Sequence, residues 1–130
     1  MSRKNADAAV SKDAVTVETE YIFKALGDTT RLRILSLLKE TELCVCEIES
    51  ALSLSQPNAS RHLGILKNAG IIQVRKQAQK TYCKISTGFV KDYPFLFREL
   101  EKIADSLPSS GSDRLQLQKF RSSQRYYHGE

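Results

Sequence analysis

A mainly α chain with one β-hairpin, folded as a winged helix-turn-helix, is the fold class the sequence predicts. Three observations predict it. Two apolar-striped helical segments meet at a short turn around Leu54-Ser55, and a strand pair flanking a polar basic turn follows the second of them. A basic block without a single acid runs through that helix and the hairpin.

The 130 residues suffice for one ordinary domain and its core, but not for a second, catalytic one. No apolar run approaches the roughly 20 residues that cross a bilayer, and the first 20 residues lack the apolar centre of a secretory signal. No membrane partner and a cytoplasmic location are the expectation. The sequence divides into a mobile arm (1–14), a DNA-binding and dimerisation domain (15–107) and a weakly ordered tail (108–130).

A helix-like stretch from Val15 ends at Gly27, placed as a C-terminal stop. Asp28 then offers an N-cap for a second helix striped with Leu32, Ile34, Leu35 and Leu38. Glu42 to Leu52 starts extended and turns helical near Cys46, with Ile48, Ala51 and Leu52 inward. Ser55 caps the next helix, and Pro57 falls in its first turn, where the missing N–H costs little. That helix runs to about Ala69, and Gly70 ends it. Ile71–Arg75 and Thr81–Ile85 read as strands around the turn Lys76 to Lys80, a wing with a basic tip. Asp92 and Pro94 open a last strong helix, with Leu96, Leu100, Ile103 and Leu107 four, three and four apart. Pro108 to Ser112 breaks it. Beyond, only Leu115, Leu117 and Phe120 are candidate docking groups, so a weak helix or a disordered tail is expected.

Between Ser55 and Lys91 lie seven basic residues (Arg61, Lys67, Arg75, Lys76, Lys80, Lys84 and Lys91) and no acid; removing them from the net +5 leaves −2. All excess positive charge therefore sits in one block, which points to a polyanionic partner. On a helical wheel, Ala59, Leu63 and Leu66 share a core face, with His62 and Ala69 at its edge. The opposite face carries Pro57, Arg61, Gly64 and Asn68, flanked by Ser60 and Lys67 on one side and Asn58 on the other. Arg61 and Asn58 suit base edges in the major groove. Ser60, Lys67 and the wing's Arg75, Lys76 and Lys80 suit phosphates, and Ser55 and Gln56 open the same helix. Gly64 permits close approach at a helix-propensity cost of about 1 kcal/mol. His62 reads first as a hydrogen-bonded structural histidine that bridges to a phosphate, and not as a metal ligand or base.

Three cysteines, two of them in Cys44-Val45-Cys46, fit free thiols better than a disulfide framework. On a regular helix such a pair diverges, whereas in an extended segment it lies on one side. At an extended-to-helical junction the sulfurs can converge, and the helix amide end favours the thiolate that binds soft ions. Two buried structural cysteines are the alternative.

Phe23-Lys24-Ala25-Leu26-Gly27-Asp28, Thr30 to Leu35, Glu42 to Ile48, Ser55-Gln56-Pro57 with Ser60-Arg61-His62-Leu63, and Leu66 to Ile72, in this order, resemble the ArsR/SmtB family of metal-sensing repressors. The resemblance covers about residues 20 to 86. It implies a winged-helix homodimer that represses in the apo state and leaves an inverted-repeat operator on binding the toxic ion. Glu42-Leu43-Cys44-Val45-Cys46-Glu47 is similar to the arsenic- and antimony-responsive branch, which gives Cys44 and Cys46 the role of ligands to As(III) or Sb(III), with no organic cofactor. The dimer interface is expected from Tyr21 and Ile22 with Leu96, Leu100, Ile103 and Leu107.

The chain departs from the family pattern in several places. Glu49 stands where some arsenic sensors have a third cysteine, so trigonal coordination needs a solvent hydroxide, a small cellular thiol or a cysteine from elsewhere. Cys83 reads as core. Residues 1 to 43 hold no cysteine for a cadmium- or lead-type site, and Asp92 to Leu107 holds no His for a zinc-type one. Thr29 replaces a common Pro, and the wing turn lacks its usual Gly. A thiol-redox sensor or another soft-metal sensor on the same scaffold is the alternative. A thiol enzyme is not supported, since no second catalytic group, phosphate-binding glycine loop or αβ repeat accompanies the pair.

Overall fold

The computed structural model describes residues 12–127, with side chains from 18 to 124. Helix α1 (Lys12–Leu26) begins three residues before the expected Val15, so the part of the expected arm before Lys12 lies outside the described residues. Asp28 then caps α2 (Thr29–Leu38): in extended conformation, its carboxylate accepts the Arg31 amide at 3.1 Å. A two-residue strand β1 (Leu43–Cys44) leads directly into α3 (Val45–Leu52). Ser53, at φ 54°, ends α3 in the left-handed conformation, and Ser55 caps α4 (Gln56–Asn68) by accepting the Asn58 amide at 3.3 Å. These two helices and their short turn are the helix-turn-helix.

Gly70, at φ 77°, closes α4 in a Schellman arrangement. Its amide donates to the Lys67 carbonyl, and the Ile71 amide reaches back to Leu66 at 3.0 Å. The chain is thus aimed into the wing, β2 (Ile72–Gln77) and β3 (Lys80–Ile85), which pair antiparallel with Val74 opposite Cys83. The loop Ala78-Gln79 puts Ala78 at φ 57°, where a two-residue hairpin favours glycine; the missing glycine is met by a strained alanine. β1 adds to the other edge of β3, with Leu43 opposite Cys83 and Cys44 opposite Tyr82.

The core gathers Ile22, Ala25, Ile34, Leu43, Ile48, Leu66, Ile71, Cys83 and Phe89 between the helices and the sheet. Cys83 is fully buried in the central strand, as expected of a core residue. The helix expected from Asp92 and Pro94 is present from Pro94 to Ser106, and a short helix that was not expected precedes it. Ser86 caps a short α5 (Thr87–Asp92), which stops at Tyr93 before Pro94 opens α6 (Pro94–Ser106), because a residue before proline is pushed out of the helical region.

The tail differs from its expected weak order. Ser110–Tyr127 is an 18-residue helix, α7, lying along α3. Its sequence is poor in apolar residues, so ion pairs share the docking with the buried Leu117. Arg33 grips Asp113 with two bonds, at 3.0 and 2.8 Å, and Arg121 reaches Glu47 at 2.6 Å.

The dimer surface expected from the sequence is also redrawn. Ile22 (1% exposed) and Leu100 (9%) are consumed by the chain's own core, and Leu96 packs on that core as well. An amphipathic stripe on α6 had a place to go inside the monomer, against Leu35 and Ile85. Among the described residues, the large apolar groups left facing outward on α1 and α6 are Tyr21 (61%), Phe23 (59%), Phe95 (78%) and Ile103 (44%). Leu107 is half-buried just past the end of α6.

Candidate nucleic-acid interface and thiol site

The two faces of α4 divide as the wheel required. Ala59, Leu63 and Leu66 are buried, while Ser55, Gln56, Asn58, Ser60, Arg61, Lys67 and Asn68 are exposed. Arg61 is held at its tip: one guanidinium nitrogen lies 3.3 Å from Asn58 Oδ1 and 3.3 Å from His62 Nε2. A Cβ on Gly64 would meet nothing within 4 Å, so nothing inside the chain demands glycine there.

His62 is buried at the edge of the core face, as its structural reading required, while the other residues of this helix expected to face DNA are exposed. Nδ1 faces Arg31 at 3.0 Å, with Asp28 Oδ1 at 4.0 Å. Arg31, also buried, donates through Nε to the Ala25 carbonyl at 2.6 Å and through its other terminal nitrogen to the Lys24 carbonyl at 3.2 Å. One guanidinium therefore satisfies the carbonyl end of α1 and touches the recognition helix. Burial lowers the His62 pKa below its ordinary value; Asp28 opposes this, and Arg61 and Arg31 reinforce it. The neutral ring is a structural hub, as its place at the edge of the core face suggested. Arg31, which links α1 to that hub, was not singled out from the sequence; a charged residue inside an apolar stripe was the available signal.

On the wing, Lys76 and Lys80 are exposed. Arg75 is not available in the same way. Glu42 takes it with two bonds, at 2.9 and 2.8 Å, Gln77 accepts at 2.6 Å, and the guanidinium lies 4.6 Å over the Tyr82 ring. Its charge is neutralised within the chain, where a phosphate contact had been expected. Glu42 lies outside the acid-free block, and only the pairing of β1 with β3 brings it there.

The thiol pair sits where β1 becomes α3. Cys44 is the N-cap residue, extended at φ −69° and ψ 147°, and Cys46 is in the first turn. The two sulfurs converge to 2.6 Å. Cys44 Sγ also accepts the Cys46 amide at 3.4 Å, while Glu47 Oε1 accepts the Cys44 amide at 2.8 Å, which closes a capping box around the pair. The expected lowering of the thiol pKa is reversed for Cys46. Burial, with the Cys44 sulfur beside it, pushes it up to about 11 against the pull of Lys80. The helix dipole is outweighed by the loss of water. Cys83, likewise pushed up to about 11 by burial, stays in the core.

Cys44, Cys46 and Glu49 form one wall of a cleft of about 540 Å³. Ser60, Gly64 and Lys67 of α4 form the second wall, and Lys80 and Thr81 of the wing the third. The thiols and two of the basic residues, Lys67 and Lys80, thus open into one space. Among the described residues, no three His, Cys, Asp or Glu side chains are grouped to hold a metal ion.

Residues 28–74, which span α2 to the start of the wing, match the family model described as bacterial regulatory protein, arsR family. A stretch of 80 residues is 48% identical to an uncharacterized HTH-type transcriptional regulator of Methanocaldococcus jannaschii, covering 61% of this chain and 90% of that protein. The chain belongs to the arsR family. As an arsR-family protein it is a DNA-binding transcriptional regulator and not an enzyme. It is also 47% identical over 66 residues to the arsenical resistance operon repressor of Escherichia coli, which covers 50% of this chain and 56% of that one. In three dimensions it is similar to a Mycobacterium bovis domain (fragment 1–100) described as a homodimeric winged helix-turn-helix of a possible ArsR-family regulator. That likeness has TM-score 0.63 and 30% identity, over 75% of this chain and 90% of the other. Helix α7 lies outside the matched residues 28–74. Among the described residues, no helix is long and apolar enough to cross a membrane.

Proposed function

We propose that this arsR-family protein is a homodimeric repressor that holds an inverted-repeat operator until As(III) or Sb(III) binds Cys44 and Cys46. The observation that carries the reading is the convergence of the two sulfurs at the first turn of α3, in the cleft that α4 and the wing also line. The donor set fits a soft thiophilic ion, since soft thiolates select such ions over magnesium or calcium. The likeness to an arsenical resistance repressor supports the same choice.

Arg61 and Asn58 are the base-reading groups, and Ser55, Gln56, Ser60, Lys67, Lys76 and Lys80 position the backbone. Tyr21 and Phe23 on α1, with Phe95 and Ile103 on α6, form the dimer surface, since an apolar group this exposed gains from a partner copy. A regulator of this kind acts where the DNA is, in the cytoplasm.

Release follows from what ligation does to the turn. Drawing both sulfurs onto one ion fixes the Cys44 and Cys46 side chains at the cap of α3, where Cys44 Sγ accepts the Cys46 amide, so the geometry of that first turn changes with ligation. No unwinding is needed to bring the sulfurs together, because Cys44 is already extended. α3 packs on α4, so a shift at its first turn re-aims the recognition helix, and a dimer that no longer fits two half-sites loses both. A coupling of about 1 to 3 kcal/mol gives release of roughly 5- to 150-fold.

The test is to titrate reduced protein, bound to its operator, with arsenite, cadmium, zinc and peroxide. Arsenite should release the DNA at the lowest concentration, and Cys44→Ser or Cys46→Ser should still bind DNA but ignore arsenite. Release by peroxide alone would assign the pair to redox sensing.

A further inference from the structure

The thiol pair supplies two sulfurs, and trivalent arsenic takes three donors. Cys83 cannot complete the set: it is fully buried in the central strand and does not line the cleft. His62 is buried between Arg31 and Arg61. The third position therefore faces the cleft, and the cleft has a distinct chemistry of its own. Its volume of about 540 Å³ lies within the range of small-molecule sites, ~300 to 1,000 Å³. Its charged lining is two ammonium groups, Lys67 and Lys80, and one carboxylate, Glu49. That pattern is complementary to a molecule with one ammonium and up to two carboxylates.

We propose that the cleft between α3, α4 and the wing binds a small amino-acid-derived thiol as the third sulfur donor to a metalloid held by Cys44 and Cys46. This rests on the metalloid reading above. The carboxylates of the thiol face Lys67 and Lys80, and its ammonium faces Glu49. In the exchange, arsenous acid gives up its three hydroxyls to the sulfurs of Cys44, Cys46 and the small thiol. Three As–O bonds break and three As–S bonds form, each thiol proton leaves in a water molecule, and arsenic stays trivalent. The bound carboxylates also cover two lysines placed for DNA phosphates, so the ternary form is a worse DNA binder than the metalloid on the two cysteines alone would make it.

The experiment follows arsenic–sulfur absorbance in the near ultraviolet while the reduced full chain is titrated with arsenite, in glutathione or in 2-mercaptoethanol at equal thiol concentration. Native mass spectrometry weighs the product. Glutathione should tighten apparent arsenite binding by about tenfold or more over mercaptoethanol, and the product should carry one arsenic and one glutathione per chain. Lys67→Gln combined with Lys80→Gln should erase the difference between the thiols. Equal affinity in both thiols, or a product without the small thiol, overturns the inference and leaves the metalloid site standing. Failure of arsenite to bind in either thiol overturns the metalloid reading itself, and this inference with it.

Discussion

Glu47 and Arg121, 74 residues apart in sequence, meet at 2.6 Å, and the other oxygen of the same Glu47 carboxylate holds the Cys44 amide at 2.8 Å. The C-terminal helix is thereby fastened to the turn that carries the thiol pair. A change at that turn has a direct route to α7, through one carboxylate.

Glu47→Ala should lower stability by about 1 to 2 kcal/mol, because it removes a cap partner and an ion pair together. Arg121→Ala should cost less than about 1 kcal/mol, since Arg121 is 43% exposed and water screens the pair. Leu117→Ala, which empties a buried site under α7, should cost about 2 kcal/mol or more. Urea unfolding of the three variants orders them; a Leu117→Ala protein as stable as the parent would mean that α7 is not docked in solution.

The helix-turn-helix was legible because its signals are local. Ser55 and Pro57 mark the start of α4, Ala59, Leu63 and Leu66 its inner face, and Gly70 its end, all within one stretch of chain. What escaped sequence reasoning depends on residues far apart. Periodicity shows that Leu100 lies on an apolar stripe, but not whether Leu35 of the same chain or a second copy covers it. Arg75 looked available until strand pairing brought Glu42 against it. Helix α7 has few apolar residues, and its anchors, Asp113 and Arg121, have partners 80 and 74 residues away.

His62 makes stability depend on pH. Its folded pKa lies below the ordinary 6.5, so between the two values the unfolded chain holds a proton that the native ring does not. The contribution of the neutral ring is present in full above about 6.5 and is lost as pH falls through the folded value. Asp28 acts in a lower window: burial pulls its pKa up, but the Arg31 amide and the charges of Arg31 and His62 leave it below 3.8, so its contribution goes only in stronger acid. Thermal midpoints should therefore drop between pH 7 and 5, and His62→Gln should flatten that drop. An unchanged slope in the variant would place the titrating group elsewhere.

Gly64 and Arg61 separate stability from recognition. With open space around a Cβ at Gly64, Gly64→Ala should raise stability by about 1 kcal/mol through helix propensity, yet weaken operator binding by crowding the face that enters the groove. Arg61→Ala should cost about 1 to 3 kcal/mol of binding and relax base preference, whereas Lys76→Ala should weaken all sequences alike and flatten the salt dependence. Selection from a randomised operator pool, read at two salt concentrations, distinguishes them. If Arg61→Ala selected the same sequences as the parent, α4 would not be the reading helix.

The identity of the inducer has a signature in protons. The Cys46 thiol, held at about 11 by burial and by the Cys44 sulfur, is protonated at neutral pH. A divalent cation such as cadmium must drive that proton into solution, so its affinity should climb by about tenfold per pH unit for each proton released. Arsenous acid brings its own proton acceptor, because each hydroxyl that leaves arsenic departs as water with the thiol proton. No net proton is released, and the apparent affinity for arsenite should stay flat between pH 6 and 8 while that for cadmium rises steeply. Competition titrations in weakly buffered solution read the difference directly, as acid released with cadmium and none with arsenite. Proton uptake on adding arsenite, as hydroxide leaves arsenic with no thiol proton to meet it, would show that Cys46 is already a thiolate in the protein, and the burial that sets its pKa would have to be relieved in solution.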